Sequence, residues 1–243
     1  MKKFFKYGFI SLAVLLVIGC SVFFIWSQQT YHPSKKLNHL VPSIPHEDNW
    51  IIFEPKENLA EKSTGIILYP GAKVEPEAYS YIAQRFSDKG YFVGIPQVRL
   101  NLSMLDTNKA AEAINQYTSI EKWYVGGHSL GGVSAASFAK NHPNRVNGLI
   151  FLASYPSSGN SFADTNLPIL SIYAENDGLT TLNKINETKK LLSNESVLYK
   201  INGGNHAQFG MYGPQKGDKE ATLTAKEQQD IIIDVMSEWL ENH

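Results

Sequence analysis

Ten consecutive residues, Trp123 to Gly132 (W-Y-V-G-G-H-S-L-G-G), restrict the fold more than any other stretch of this chain. Trp123, Tyr124 and Val125 favour a strand, and the run after Gly132 (V-S-A-A-S-F-A-K) suits an amphipathic helix. Ser129 therefore falls on a sharp strand-to-helix turn. So tight a turn holds its central residue in a strained backbone conformation, and it closes only if the positions two before and two after are small. Gly127 and Gly131 meet that need. A helix beginning at Leu130 also points its unpaired N–H groups and positive dipole end at Ser129, which suits a serine whose reaction develops negative charge nearby.

The rest of the sequence agrees with a strand-turn-helix unit of this kind. Strands are predicted at Trp50–Phe53, Gly65–Tyr69, Tyr91–Ile95, Lys122–Gly126, Gly148–Ala153, Ile169–Tyr173 and Val197–Ile201, mostly as unbroken β-branched or aromatic runs suited to burial on both faces. Helices are predicted between them, at Glu77–Asp88, Met104–Tyr117, Leu130–Asn141, Thr181–Ser193 and Ala225–Glu241. Pro76 is placed to start the first and Gly90 to stop it. This alternation predicts an α/β fold, a mostly parallel sheet covered by helices on both faces.

The first 27 residues stand apart from that fold. Lys2, Lys3 and Lys6 precede an uncharged run of 18 residues, Phe9 to Trp26, just long enough to cross a bilayer as a helix with the lysines on the cytoplasmic side. Two other readings stay open. Val17-Ile18-Gly19-Cys20 resembles a lipoprotein signal that would leave Cys20 lipid-modified, although the apolar run continues past it; cleavage and secretion is the third, without an A-x-A-like site. All three place the rest of the chain outside the cytoplasm. Residues 28–47, polar and carrying Pro33, Pro42 and Pro45, read as a spacer, and residues 48–243 as one domain. The single cysteine excludes an internal disulfide and any cysteine-based metal site. A net charge of −1 gives no general attraction to nucleic acid, and no cofactor or metal motif is present.

In open parallel sheets, chemistry collects at the carboxyl ends of the strands. Three predicted loops there carry reactive or tightly turning residues: Pro70-Gly71-Ala72-Lys73, Ala174-Glu175-Asn176-Asp177-Gly178, and Asn202-Gly203-Gly204-Asn205-His206. A serine hydroxyl needs a base within hydrogen-bond reach, and that base needs a carboxylate to orient it. Asp177 and His206 can supply both, in the order Ser129, Asp177, His206. Glu175 and Asp164 compete as the acid. His32, His39 and His46 lie in or beside the spacer and His243 is terminal. His128 is expected to project away from the site, and His142 to end a helix.

From about Asp48 to His243 the chain resembles the α/β-hydrolases, in particular the small, cap-less kind related to dienelactone hydrolases. The resemblance rests on Gly127-His128-Ser129-Leu130-Gly131, Tyr69-Pro70-Gly71-Ala72, Asp177-Gly178, and the run from Gly203 to Gly210 (G-G-N-H-A-Q-F-G). It implies Ser129 as nucleophile, Asp177 as acid, His206 as base, and the backbone N–H groups of Ala72 and Leu130 as an oxyanion hole. Dienelactone hydrolases carry a cysteine nucleophile, so Ser129 moves the expectation toward carboxylesterase chemistry on a small-molecule or lipid-like ester. Only Tyr155 to Pro168 is available for a cap, which is too short for one. The competing expectations are an acyltransferase or deacylase acting on cell-envelope material and a non-catalytic binding domain on the same fold. Phe209, Met211 and Tyr212 are expected either to line an acyl pocket or to pack the last helix, and Lys73 to be solvated.

Overall fold

The computed structural model describes residues 2–55 and 63–243. Eight strands form one sheet: β1 (His46–Glu47), β2 (Trp50–Phe53), β3 (Thr64–Tyr69), β4 (Phe92–Pro96), β5 (Lys122–His128), β6 (Gly148–Leu152), β7 (Ile169–Ala174) and β8 (Ser196–Ile201). Their order across the sheet is β1-β2-β4-β3-β5-β6-β7-β8. Strands β3 to β8 are parallel, and β1 and β2 are antiparallel additions at one edge. Among the described residues the α-helices are α1 (Lys2–Ser27), α2 (Lys35–Leu40), α3 (Ser80–Ser87), α4 (Ala110–Gln116), α5 (Leu130–Asn141), α6 (Leu182–Thr188) and α7 (Ala225–Glu241).

Successive strand residues point to opposite faces, so each apolar strand feeds two cores. Ile66 and Leu68 of β3 join Tyr124, Ile150, Leu152, Leu170 and Ile172 on the face covered by α3 and α7. Ile67 and Tyr69 join Trp123, Val125, Leu149, Phe151 and Ile169 on the face covered by α4 and α5. Burial on both faces explains why the alternation is invisible in the sequence as a polar–apolar pattern. From β3 the chain moves to β4 on one side and later to β5 on the other. The order therefore reverses at β3 and β5, and the crevice at their carboxyl ends is where such sheets bind ligands. Only residues 153–168 join β6 to β7, with a single 3₁₀ turn and no cap.

Several elements differ from the sequence expectation. The first predicted helix enters through a 3₁₀ turn, Pro76–Tyr79, and the fourth leaves through another, Lys189–Leu191. The helix expected over 104–117 is broken into a 3₁₀ turn, Ser103–Leu105, and α4. Asp106 causes the break, because its carboxylate accepts from the Arg99 N–H and Nε at 2.6 and 2.7 Å and turns the chain back. The side chains of Lys2, Lys3 and Lys6, on which the expected sidedness of α1 rests, lie outside the described residues.

The largest departure is the expected spacer. Residues 28–47 contain α2, capped by the Ser34 hydroxyl, and the strand β1. Leu37 and Val41 are buried in the core on the α3/α7 side. The Pro-rich, polar composition hides this because only two of its twenty side chains, Leu37 and Val41, are fully buried. Since Leu37 is 0% exposed, Leu37→Ala is expected to cost about 2–5 kcal/mol. Urea unfolding of the detergent-solubilised chain checks it; a free spacer would show no loss.

Candidate active site

Ser129 is the residue between β5 and α5, and its backbone adopts φ 52° and ψ −121°, a region that L-residues rarely occupy. Its neighbours hold it there. The Ser129 N–H donates to the Leu152 carbonyl at 3.0 Å, and the Ser129 carbonyl accepts from the Gly132 N–H at 3.1 Å and the Ser154 hydroxyl at 2.6 Å. A Cβ on Gly131 would collide with the Tyr69 and Pro70 carbonyls, and one on Gly127 with the Gly131 backbone. The two glycines thus let the start of α5 press against the carboxyl end of β3.

The loop after β3 is tied down at nearly every polar backbone group. The Pro70 carbonyl accepts from the Ser103 hydroxyl at 2.6 Å, and the Gly71 N–H donates to the Tyr79 oxygen at 2.9 Å. Lys73, at φ 62°, donates its N–H to the Asn101 carbonyl at 2.8 Å, and its own carbonyl accepts from the Tyr31 N–H at 2.6 Å. Among the described residues the N–H groups of Ala72 and Leu130 have no hydrogen-bond partner. Two free donors on the loops after β3 and β5 are what an oxyanion site requires. Lys73 is not simply solvated, since its Nζ lies 4.5 Å from the Trp26 ring centroid.

Asp177 and His206, expected from sequence to pair, are brought together. Their side chains are fully buried, and His206 Nδ1 lies 2.8 Å from Asp177 Oδ2. The other carboxylate oxygen of Asp177 accepts from the Leu179 and Thr180 N–H groups at 2.8 and 2.6 Å, which fixes the plane of the carboxylate. His206 Nε2 is buried and, among the described residues, unpartnered. The competing acids are engaged elsewhere or distant: Glu175 accepts from the Gly203 N–H at 2.9 Å, and Asp164 is exposed. His142 bonds Asn108 at 2.7 Å, away from the other histidines of the site. Phe209 and Met211 are buried in the core shared with α7, while Tyr212, in the same core, also lines an open pocket with Asn205, Gln208 and Asp218.

His128 does not project away. Its ring centroid lies 4.6 Å from that of His206 and 5.9 Å from Phe209, and its Nδ1 is 2.9 Å from the Tyr79 oxygen. Burial, reinforced by the adjacent His206 ring, pushes the His128 pKa well below the ordinary imidazole value. Burial likewise raises the Tyr79 phenol, which keeps its proton; its oxygen accepts from the Gly71 N–H and shares a hydrogen bond with His128 Nδ1. A chain of contacts therefore runs from the loop after β3, through Tyr79 and His128, to His206.

Asp218 is the residue that sequence reading missed. Its Oδ1 accepts from the Gly178 and His206 N–H groups at 3.0 and 3.3 Å, and its Oδ2 from the Ala207 N–H at 2.9 Å. One carboxylate thus clamps the loop of Asp177 to the loop of His206. Gln228 of α7 does similar work from behind, exchanging two hydrogen bonds with the Asn205 backbone at 2.9 and 2.8 Å. Neither residue lies in a recognisable motif, and only the spacing of Asp218 shortly after His206 hints at a local role. Among the described residues no group of three His, Cys, Asp or Glu is arranged to hold a metal ion.

With this geometry the chain can be placed among known proteins. Residues 65–230 match the alpha/beta hydrolase family, and the chain belongs to that family. A search of curated proteins finds no match by sequence. Among solved structures, it is similar to an α/β-hydrolase enzyme from the metagenome of lagoon sediments at Mar Chica, Morocco. That likeness has TM-score 0.61 and 20% identity over 82% of this chain and 98% of that one. It is similar also to a chain from a structure described under LipS and LipT, two metagenome-derived lipolytic enzymes, with TM-score 0.60 and 12% identity over 83% of this chain and 100% of that one. A third is a lid-less α/β serine hydrolase of Xanthomonas campestris, with TM-score 0.58 and 14% identity over 79% and 88%. At these identities the likeness is one of fold.

The neutral, buried His128 makes stability depend on pH. The folded state binds fewer protons at this site than the unfolded one, so stability is complete above pH 6.5 and falls below it. The loss from His128 grows as the pH falls through the ordinary imidazole range. His128→Gln is expected to flatten this acid limb, as read by urea unfolding at pH 7.5 and 5.0; an unchanged limb would show that His128 is not held neutral.

Proposed function

We propose that this protein is a serine hydrolase that cleaves carboxylic esters through an acyl-enzyme, with Ser129, His206 and Asp177 as its triad. The observation that carries the reading is the fully buried Asp177–His206 pair at 2.8 Å, with the second ring nitrogen left without a partner, on the rim that bears the strained Ser129. His206 takes the Ser129 proton as Oγ attacks the ester carbonyl. The oxyanion that forms is held by the Ala72 and Leu130 N–H groups. His206 then gives the proton to the departing alcohol, and water releases the acid by the same steps in reverse order. Asp177 fixes the tautomer of His206 and stabilises the imidazolium. The fold likeness to enzymes described as lipolytic favours an ester over an amide as substrate. Phe9–Ser27, long and apolar enough to cross a bilayer and exposed from Phe9 to Trp26, supports an anchor that holds the enzyme at a membrane.

A fluorophosphonate probe is expected to label the wild type and not Ser129→Ala; equal labelling would remove Ser129 from the mechanism. Asp177→Asn is expected to lower kcat on p-nitrophenyl butyrate by a factor on the order of 10⁴, with Glu175→Gln doing far less. Asp218 acts through the two loops rather than on substrate. Asp218→Ala is expected to lower kcat by up to about 100-fold through misplacement of His206, with partial rescue in Asp218→Asn, which keeps one acceptor oxygen. Wild-type kcat in Asp218→Ala would reduce the clamp to a structural detail.

A further inference from the structure

The C-terminal end of α1 is joined to the rim of the site. Ser27 is fully buried, its carbonyl accepts from Asn101 Nδ2 at 3.1 Å, and the preceding Trp26 packs under Lys73, the residue after Ala72. Four residues beyond Ser27, the Tyr31 N–H donates to the Lys73 carbonyl at 2.6 Å and the Tyr31 carbonyl accepts from the Glu75 N–H at 3.1 Å. The Ser34 N–H then donates to the Met211 carbonyl at 2.8 Å, on the segment just after His206. The chain leaving the apolar helix is thus fastened to both the Ala72 loop and the His206 loop with no free tether between.

A second observation concerns the loop between β4 and α4. It lies against the same structures, since the Asn101 carbonyl accepts from the Lys73 N–H and the Ser103 hydroxyl donates to the Pro70 carbonyl. Leu100 and Asn101 turn it outward at φ 53° and 55°, and it leaves Met104 56% and Leu105 43% exposed. Outside α1, the other exposed large apolar side chains among the described residues are Leu179, two residues past Asp177, and Val197 and Tyr199 on the edge strand β8. Three of these five therefore stand on loops at the carboxyl ends of the strands, on the side where α1 departs.

We propose that the bilayer entered by α1 lies directly against this rim, with Met104 and Leu105 dipping into its surface, and that the substrate is an ester of a membrane-resident acyl lipid. The substrate class rests on the hydrolase reading above. Tryptophan settles at the headgroup level, so Trp26 marks the membrane boundary, and the headgroup layer beyond the hydrocarbon is only about 5–8 Å deep. Ser27, Lys73 and the loop of Met104 begin where that layer begins. The ester carbonyl of an acyl lipid lies at the boundary between headgroup and chain, the level at which the Ala72 and Leu130 N–H groups would receive it. Lys73 adds a positive charge at the same depth for anionic headgroups. Ser129 Oγ bonds to the acyl carbon, the lipid alcohol departs with the proton from His206, and water cleaves the acyl-enzyme to release the fatty acid.

The test uses the full chain in phosphatidylcholine–phosphatidylglycerol vesicles. In a Cys20→Ser background, single cysteines at Met104→Cys and Glu121→Cys, the latter at the opposite end of the sheet, carry an environment-sensitive fluorophore. The label at 104 is expected to shift to shorter wavelength and to be quenched by spin-labelled lipid, and that at 121 to behave as in water. Turnover of vesicle-borne 4-methylumbelliferyl oleate relative to soluble p-nitrophenyl acetate is expected to fall about tenfold in Met104→Glu/Leu105→Glu, because membrane contact scales with the apolar area inserted. A label at 104 as water-exposed as that at 121, in an enzyme active on the soluble ester, overturns the orientation while leaving the hydrolase reading intact. An inert wild type with the 104 label in lipid overturns the hydrolase reading and the substrate class while supporting the orientation. A chain that fails to enter the vesicles overturns the orientation together with the anchor.

Discussion

The backbone of Ser129 is the constraint on which the surrounding structure depends. Holding a non-glycine residue at φ 52° and ψ −121° costs about 1–3 kcal/mol, and such strain persists only where neighbours leave no alternative. Here the Leu152 carbonyl, the Gly132 N–H and the Ser154 hydroxyl fix both polar groups of the residue. Gly131 supplies the remaining condition by allowing α5 to start against the Tyr69 and Pro70 carbonyls. Strands β3, β5 and β6 must therefore be in register before the serine can be held, so its conformation is a product of the sheet.

Around that point the site is assembled from loops that are individually irregular and collectively fixed. Each is pinned by buried or half-buried polar groups from another part of the chain: Ser103 and Tyr79 on the Ala72 loop, half-buried Asp218 on the Asp177 and His206 loops, Gln228 on the turn before His206. Buried polar groups left unpaired are costly, so a network of this kind favours one arrangement over many similar ones. The capping box at Thr224 and Glu227 sets the start of α7, and with it the position of Gln228.

The N-terminal segment belongs to the same design. A helix as apolar as α1 followed by a free linker would leave the domain to tumble near a membrane. Docking of Ser27, Tyr31, Ser34 and Leu37 instead gives the domain one face toward the helix end, and that face is the rim of the site. The segment reaches both the loop after β3 and the one after His206, so position and chemistry are coupled through a few backbone hydrogen bonds.

The sequence by itself determined the sheet-forming strands, the elbow at Ser129 and the pairing of Asp177 with His206. These depend on local signals: continuous apolar runs, glycines at fixed offsets from a serine, and polar residues placed just past strand ends. Only the tertiary structure decided the roles of His128, Asp218 and residues 28–47. His128 could face either way from a strand end, and its ring contact with His206 follows from where the loop after β8 folds. Asp218 acts through backbone N–H groups 11 to 40 positions away, which no composition or spacing rule encodes. Residues 28–47 read as a spacer because Leu37 and Val41 are too few to make a pattern. Their docking depends on a groove formed by parts of the chain distant in sequence, and a surface made that way exists only once the sheet and its helices have packed.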